Sequence, residues 1–258
     1  MQISKTAFRT LCLGLFLNAS GAVAATDEWQ FEVTPYLLAA GMDGTAGVRD
    51  HTADVDMSFS DIWNDLEGAF MALFTAQKGP WTLGLEGVYM KLEDDKIRTV
   101  TGPGGLISIN GELDVTAKLY VFQGTVGYRV LDDTTLVDVL GALRYTKLDL
   151  DAKVDVAFAP PIFSGSAGAD GSESWTDFAV GARVVHPLSD KVSLLGYADV
   201  GAGGSDLTYQ LVGGINWEFR KDFVAKLGYR YLSWDYEENG NTWDIAVAGP
   251  YLGLGIRF

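Results

Sequence analysis

The chain is short of cysteine, histidine, positive charge and long apolar runs, and each shortage excludes something. Its single cysteine, Cys12, can form neither an internal disulfide nor a cysteine-based zinc site. Two histidines, His51 and His186, leave little material for imidazole chemistry. With 19 Lys and Arg against 34 Asp and Glu, the formal charge is −15, and the basic surface that nucleic acid requires is missing. Beyond residue 25 no apolar stretch approaches the roughly 20 residues of a membrane-spanning helix. What is plentiful is apolar: 48% of residues, including 7 Trp, 11 Tyr and 13 Phe, too many for a disordered acidic protein. At 258 residues the chain is long enough for one full domain.

Residues 1–25 read as a secretory signal peptide. Lys5 and Arg9 form its basic start, Leu11 to Leu17 its apolar centre, and Ala22-Val23-Ala24-Ala25 its small-residue cleavage region. Cys12 lies inside the apolar centre after Leu11, so it does not read as a lipid-attachment cysteine. Cleavage after Ala25 leaves residues 26–258 as one domain without cysteine, carrying 34 acids and 17 bases. Such a chain suits an oxidising compartment.

From there the dominant pattern is alternation at period two, the mark of strands with two unlike faces. Tyr209, Leu211, Gly213, Ile215, Trp217 and Phe219 alternate with Gln210, Val212, Gly214, Asn216 and Glu218. Similar alternation runs through 29–37, from Trp81 to Tyr89, and from Phe223 to Tyr231. These segments exceed the usual strand of about 5–6 residues and match the 9–11 that cross a bilayer at a tilt. Four links are tight, at 78–80, 131–134, 188–191 and 220–222, and longer polar links are expected around 92–110, 158–173, 203–206 and 237–242. Aromatics mark both strand ends: Trp81, Tyr128, Trp217, Phe219 and Phe223 near the short turns, and Tyr89, Tyr145, Tyr209 and Tyr231 toward the long links.

This pattern predicts an all-β fold: a closed antiparallel transmembrane β-barrel with short periplasmic turns and longer extracellular loops. Counting segments gives about ten strands, with eight or twelve as alternatives. The number turns on residues 42–66, read as a long loop containing one helical turn capped by Ser60.

The chain ends Tyr251-Leu252-Gly253-Leu254-Gly255-Ile256-Arg257-Phe258. Tyr251, Gly253, Ile256 and Phe258 resemble the terminal signal of bacterial outer-membrane barrels, which implies the barrel-assembly machinery as a partner during biogenesis. With Trp29, Thr34-Pro35-Tyr36-Leu37, Gly196 to Gly201 and Gly228 to Leu232, the chain resembles small, largely uncharacterised outer-membrane barrels of Gram-negative bacteria. The resemblance implies a bacterial outer-membrane location and names no activity.

With aliphatic and aromatic faces outward, the inward set follows by phase. It contains six acids, Glu32, Glu86, Asp138, Asp177, Asp199 and Glu218, and six bases, Arg129, Arg144, Arg183, Lys226, Arg230 and Arg257. Equal numbers in a narrow tube predict a salt-bridged plug, because unpaired charge there is costly. The alternative is a small-solute channel whose lining charges select what passes. In four strands a Gly precedes an inward Arg by two positions, at Gly127, Gly181, Gly228 and Gly255, which suggests room for the guanidinium. The remaining acidity belongs to the outer rim and loops, where divalent cations would bridge it to anionic lipopolysaccharide.

No motif calls for a cofactor, a metal or an enzyme. His51 sits near Asp50 and Asp54, and His186 precedes Pro187, but neither has a nucleophile in a recognisable pattern. Gly102-Pro103-Gly104-Gly105 lacks the Lys and Ser/Thr of a phosphate loop. Asp149, Asp151 and Asp155 follow strand alternation and lack the closing Glu of a calcium loop. The sequence therefore points to an outer-membrane barrel with a structural or surface-interaction role. A porin-like channel is the alternative, and an outer-membrane hydrolase a distant third.

Overall fold

In the computed structural model, residues 27–48, 51–101, 108–159, 164–238 and 240–258 are described. The leader assigned to 1–25 and the glycine cluster at 102–105 lie outside them. Twelve strands and one short helix make up the fold. They are β1 (Gln30–Leu38), β2 (Gly41–Val48), β3 (His51–Met57), α1 (Phe59–Asp65), β4 (Leu66–Lys78) and β5 (Trp81–Thr101). There follow β6 (Ser108–Asp132), β7 (Leu136–Ala159), β8 (Ser164–Ser189), β9 (Val192–Gly203), β10 (Leu207–Arg220), β11 (Phe223–Glu238) and β12 (Asn241–Arg257).

Ten of these strands close a cylinder. β1 pairs with β4 on one side and β12 on the other, and β4 to β12 pair in sequence order, all antiparallel. Closure leaves the membrane-spanning wall without a free edge, which a bilayer demands because nothing there can satisfy an open ladder. The four tight links stand where expected, each joining consecutive strands at the same end.

Residues 42–66 are not a simple loop. β2 and β3 form a hairpin, and β2 continues the wall beside the upper part of β12, from Gly41↔Ala248 to Val48↔Asn241. The lower part of β12 pairs with β1. The cylinder thus closes on ten strands, with two more outside the closure. The helix cap also differs from expectation, being Ser58 and not Ser60. Ser58 accepts from the Asp61 backbone N–H while the Asp61 carboxylate accepts from that of Ser58. This reciprocal box needs an acid three residues after the cap, and Ser60 has none there.

The long polar links are shorter than expected. β5, β6, β7 and β8 run for 21, 25, 24 and 26 residues, so most of 92–110 and 158–173 is paired strand. Polar residues there keep alternating, and ladders pair their backbone, on both sides in β6 and β7 and on one side in the upper parts of β5 and β8.

Aromatic belts mark where the membrane lies. Trp81 and Tyr128 pair across β5 and β6 with ring centroids 4.9 Å apart, and Tyr89 pairs with Tyr120 at 5.0 Å. Tyr209 stacks on Tyr231 at 5.5 Å in the upper belt, and Trp217 stands in the lower one on the same strand. Eight residues separate Trp81 from Tyr89, and Trp217 from Tyr209. At about 3.3 Å per residue and a tilt near 40°, that is a band roughly 20 Å tall. Between the belts the outward side chains are apolar and exposed, among them Leu83, Leu85, Val126, Leu143, Ile215 and Leu227.

Candidate functional site

The inward face changes character along each strand. On β11 it reads Lys226, Gly228, Arg230 and then Leu232, Trp234, Tyr236. On β5 it reads Thr82, Gly84, Glu86 and then Val88, Met90, Leu92, and on β6, from Arg129 upward, Gln123 is followed by Val121 and Leu119. Polar residues fill the lumen at membrane level; apolar ones fill it above the upper belt. Below that level the apolar solvent is outside; above it, water is outside, and the barrel hides its apolar face inward as a soluble protein does.

The polar layer gathers eleven of the twelve inward charges into ion pairs. Asp138 on β7 lies in register with Arg129 on β6 and Arg183 on β8, and it accepts from both, at 3.0 Å and 2.5 Å. Glu32 on β1 accepts from Arg257, in register on β12 at 3.0 Å, and from Lys226; Arg257 also reaches Glu218 at 2.6 Å. Arg230 donates to both oxygens of Glu86, at 2.7 and 2.9 Å, from β11 to β5 across the lumen. Tyr36 and Gln210 complete that cluster, each accepting from Arg230 at 2.7 Å. Arg144 is fully buried and donates to Asp199 at 2.8 Å, to Gln123 at 2.8 Å and to Thr208 at 2.7 Å. Tyr197 donates to the same Asp199 at 2.5 Å.

Asp177 departs from the pattern. It is fully buried and lies in register with Arg144, yet that guanidinium turns to Asp199. One Asp177 oxygen accepts from the Ser205 backbone N–H at 2.8 Å, and the other has no hydrogen-bond partner. The glycines also serve a purpose other than the one expected. A Cβ on Gly228 would lie 2.3 Å from the Gly213 backbone oxygen and 2.6 Å from the Tyr251 ring, and one on Gly214 2.4 Å from the Tyr251 hydroxyl, so these two glycines leave room for Tyr251 against the inner wall. Gly255 seats the Glu32 carboxylate, and Gly181 lets the β9 backbone approach closely. The room goes to partners across the sheet and not to the neighbouring Arg, because an extended side chain stands perpendicular to its own strand.

Sequence reasoning missed the upper, apolar layer. Trp175 stacks on Tyr236 at 4.3 Å, and with Trp234, Ile245, Val247, Leu119, Val121, Leu232, Met90 and Met42 they form one buried cluster. Ile62 of α1 joins it. Extending the inward phase of β11 past Arg230 would have found Trp234 and Tyr236. Burial pushes the Tyr236 hydroxyl up to about 12, with Glu173 and Glu238 adding to the effect. It donates to Glu173 at 3.2 Å, which in turn accepts from Asn241 at 2.6 Å.

His186 meets Thr135 at 2.8 Å near the short turns. Among the described residues no group of three His, Cys, Asp or Glu could hold a metal ion. At the chain's end, Phe258 packs on Phe31 at 5.9 Å and exchanges backbone bonds with it, which zips β12 onto β1.

Ten closed strands, two aromatic belts and an apolar outer band decide the architecture. The chain has the fold of a bacterial outer-membrane β-barrel. The outer membrane protease OmpT from Escherichia coli superposes with a TM-score of 0.55 at 8% identity, covering 90% of this chain and 98% of that one. The translocator domain of autotransporter NalP from Neisseria meningitidis gives 0.44 at 14% identity, covering 90% and 89%. Ail, the attachment invasion locus protein of Yersinia pestis, gives 0.30 at 14%, covering 90% and 100%. No protein-family model and no curated protein matches the sequence. At such identities the likeness is one of fold.

Proposed function

We propose that the protein is an integral outer-membrane barrel of the cell surface, exported by a cleaved leader, with a structural or surface-interaction role and a lumen closed to solutes. The observation that carries this reading is double closure: an ionic layer at membrane level and a packed aromatic and aliphatic layer above it. A solute would have to strip charge pairs in one and displace buried indoles in the other. The channel reading draws less support, since a selective pore needs a continuous polar path and the apolar layer interrupts it. The protease OmpT shares the architecture, but His186 and its surroundings supply no comparable chemistry, so we read this chain as a non-enzyme.

The exposed acids of the outer rim, among them Asp54, Asp56, Glu93, Asp170 and Asp244, face a surface that is itself anionic. Lipopolysaccharide bridged by divalent cations is the partner that fits, and a chelator should loosen protease protection of this rim. Equal protection with and without magnesium would count against it. The decisive test of the main reading is planar-bilayer conductance of the purified protein. We expect silence from the wild type. Discrete wild-type openings would overturn the closed-lumen reading and restore the channel.

A further inference from the structure

The wall is unequally sealed. Every neighbouring pair in the ten-strand cylinder shares a ladder, and so do β12–β2 and β2–β3. Above the upper belt, however, the outer edge of β3 has no partner among the described residues. Nor does β4 have one on its far side above Ala72, the last residue paired to β1. Between these two edges lies a seam, and α1 is the segment that connects across it. The seam starts at belt level: Gly41, at the foot of β2, pairs with Ala248, which pairs with Tyr231, and on the other side Phe70 pairs with Tyr89.

Behind the seam the lining is apolar and adaptable. Met42 and Met90 belong to the buried upper cluster, Met57 and Val55 pack against it, and buried Met71 pairs with Val88. Together these are all the methionines after Met1. Methionine side chains repack at low cost around varied shapes. In front of the seam, Phe59 and Trp63 are exposed, their rings 5.7 Å apart, and Phe70 is exposed at belt level on β4. Ile62 is the one buried residue of α1 and separates these two apolar surfaces. The seam's own charges are mainly acidic: Asp54, Asp56 and Asp61 are exposed, while Glu67 is paired with Lys91.

We propose that this seam is a lateral port through which an uncharged long-chain aliphatic molecule, dissolved in the outer leaflet, enters the methionine-lined upper lumen past Ile62. An apolar path runs from belt to lumen with no backbone ladder to break, and the acidic rim disfavours an anionic headgroup. The proposal does not depend on whether the barrel conducts, since the ionic layer lies below this packed apolar layer, whose methionines would repack around the entering chain.

The test uses the natural tryptophans. A variant with Trp29, Trp63, Trp81, Trp217 and Trp243 changed to Phe keeps only Trp175 and Trp234, both buried in the upper lumen. Reconstituted in unbrominated phospholipid vesicles, it is titrated with dibromostearyl alcohol, whose bromines quench indole only near contact. Saturable quenching is expected, reversed by excess stearyl alcohol, reached at several-fold lower concentration in Ile62→Ala, and several-fold weaker with dibromostearate at pH 8. If Ile62→Ala fails to assemble, Ile62→Val takes its place. Absent quenching of the interior pair, while a variant retaining only Trp217 is quenched, would overturn the port. Equal quenching by the carboxylate would overturn its preference for uncharged chains.

Discussion

Two buried carboxylates on the same barrel wall illustrate how much depends on one partner. Asp199 accepts with both oxygens from one guanidinium nitrogen of Arg144 and also from a tyrosine hydroxyl, whereas Asp177 accepts from a single backbone N–H. Removing Arg144 leaves the buried Asp199 without its cation, so Arg144→Met should cost about 3–5 kcal/mol, read as a shift of the urea midpoint in lipid. Asp177→Asn keeps the shape and removes a charge without an ion pair, and it should cost under about 1 kcal/mol or stabilise. A large loss there would mean that the field of Arg144 matters to Asp177 despite the missing bond. Tyr236 offers a pH test outside the membrane. Its hydroxyl ionises near 12 in the folded protein and near 10 in the unfolded chain, so the unfolded state releases its proton first. The associated stability is intact below pH 10 and drains away as pH rises toward 12. Tyr236→Phe should flatten that part of the stability curve, and parallel wild-type and variant curves from pH 9 to 11.5 would refute it.

Among the elements, α1 and the strand termini show what the sequence could and could not disclose. Ten closing strands and their short turns were legible, because alternation at period two survives any neighbourhood. Partner choice was not: that Asp138 serves two arginines while Asp177 serves none depends on register, which single strands do not encode. The extent of β5 to β8 was also hidden, since charged residues there look like loop until a neighbouring strand pairs with them. The Ser58 box was readable in principle from its Ser-x-x-Asp spacing. Ser58→Ala should cost about 1 kcal/mol, felt as faster amide exchange in 59–65 with little change in global unfolding, since only Ile62 ties the helix inward. The two glycines beneath Tyr251 make a contrasting pair with α1. Gly228→Val has no flexible neighbour to displace except that ring, and it should lower the yield of the heat-modifiable folded form.

At the scale of the whole molecule, the formal charge of −15 resolves into a lumen of matched charges and an acidic exterior above the membrane. The 48% apolar content divides as well, between a lipid-facing belt and a buried cluster in the upper barrel. The same continuous strands therefore answer to two solvents, and the change-over occurs at the upper tyrosines. One consequence concerns thickness. Lengthening the acyl chains of the host bilayer beyond the band of roughly 20 Å would draw lipid over a rim whose outward residues are polar and whose apolar residues already point inward. The lower barrel should tolerate thin membranes, and thicker ones should be resisted at the upper tyrosines, so folding efficiency should fall steeply with chain length instead of passing through a broad optimum. In that sense the protein carries its own gauge of the membrane it belongs in.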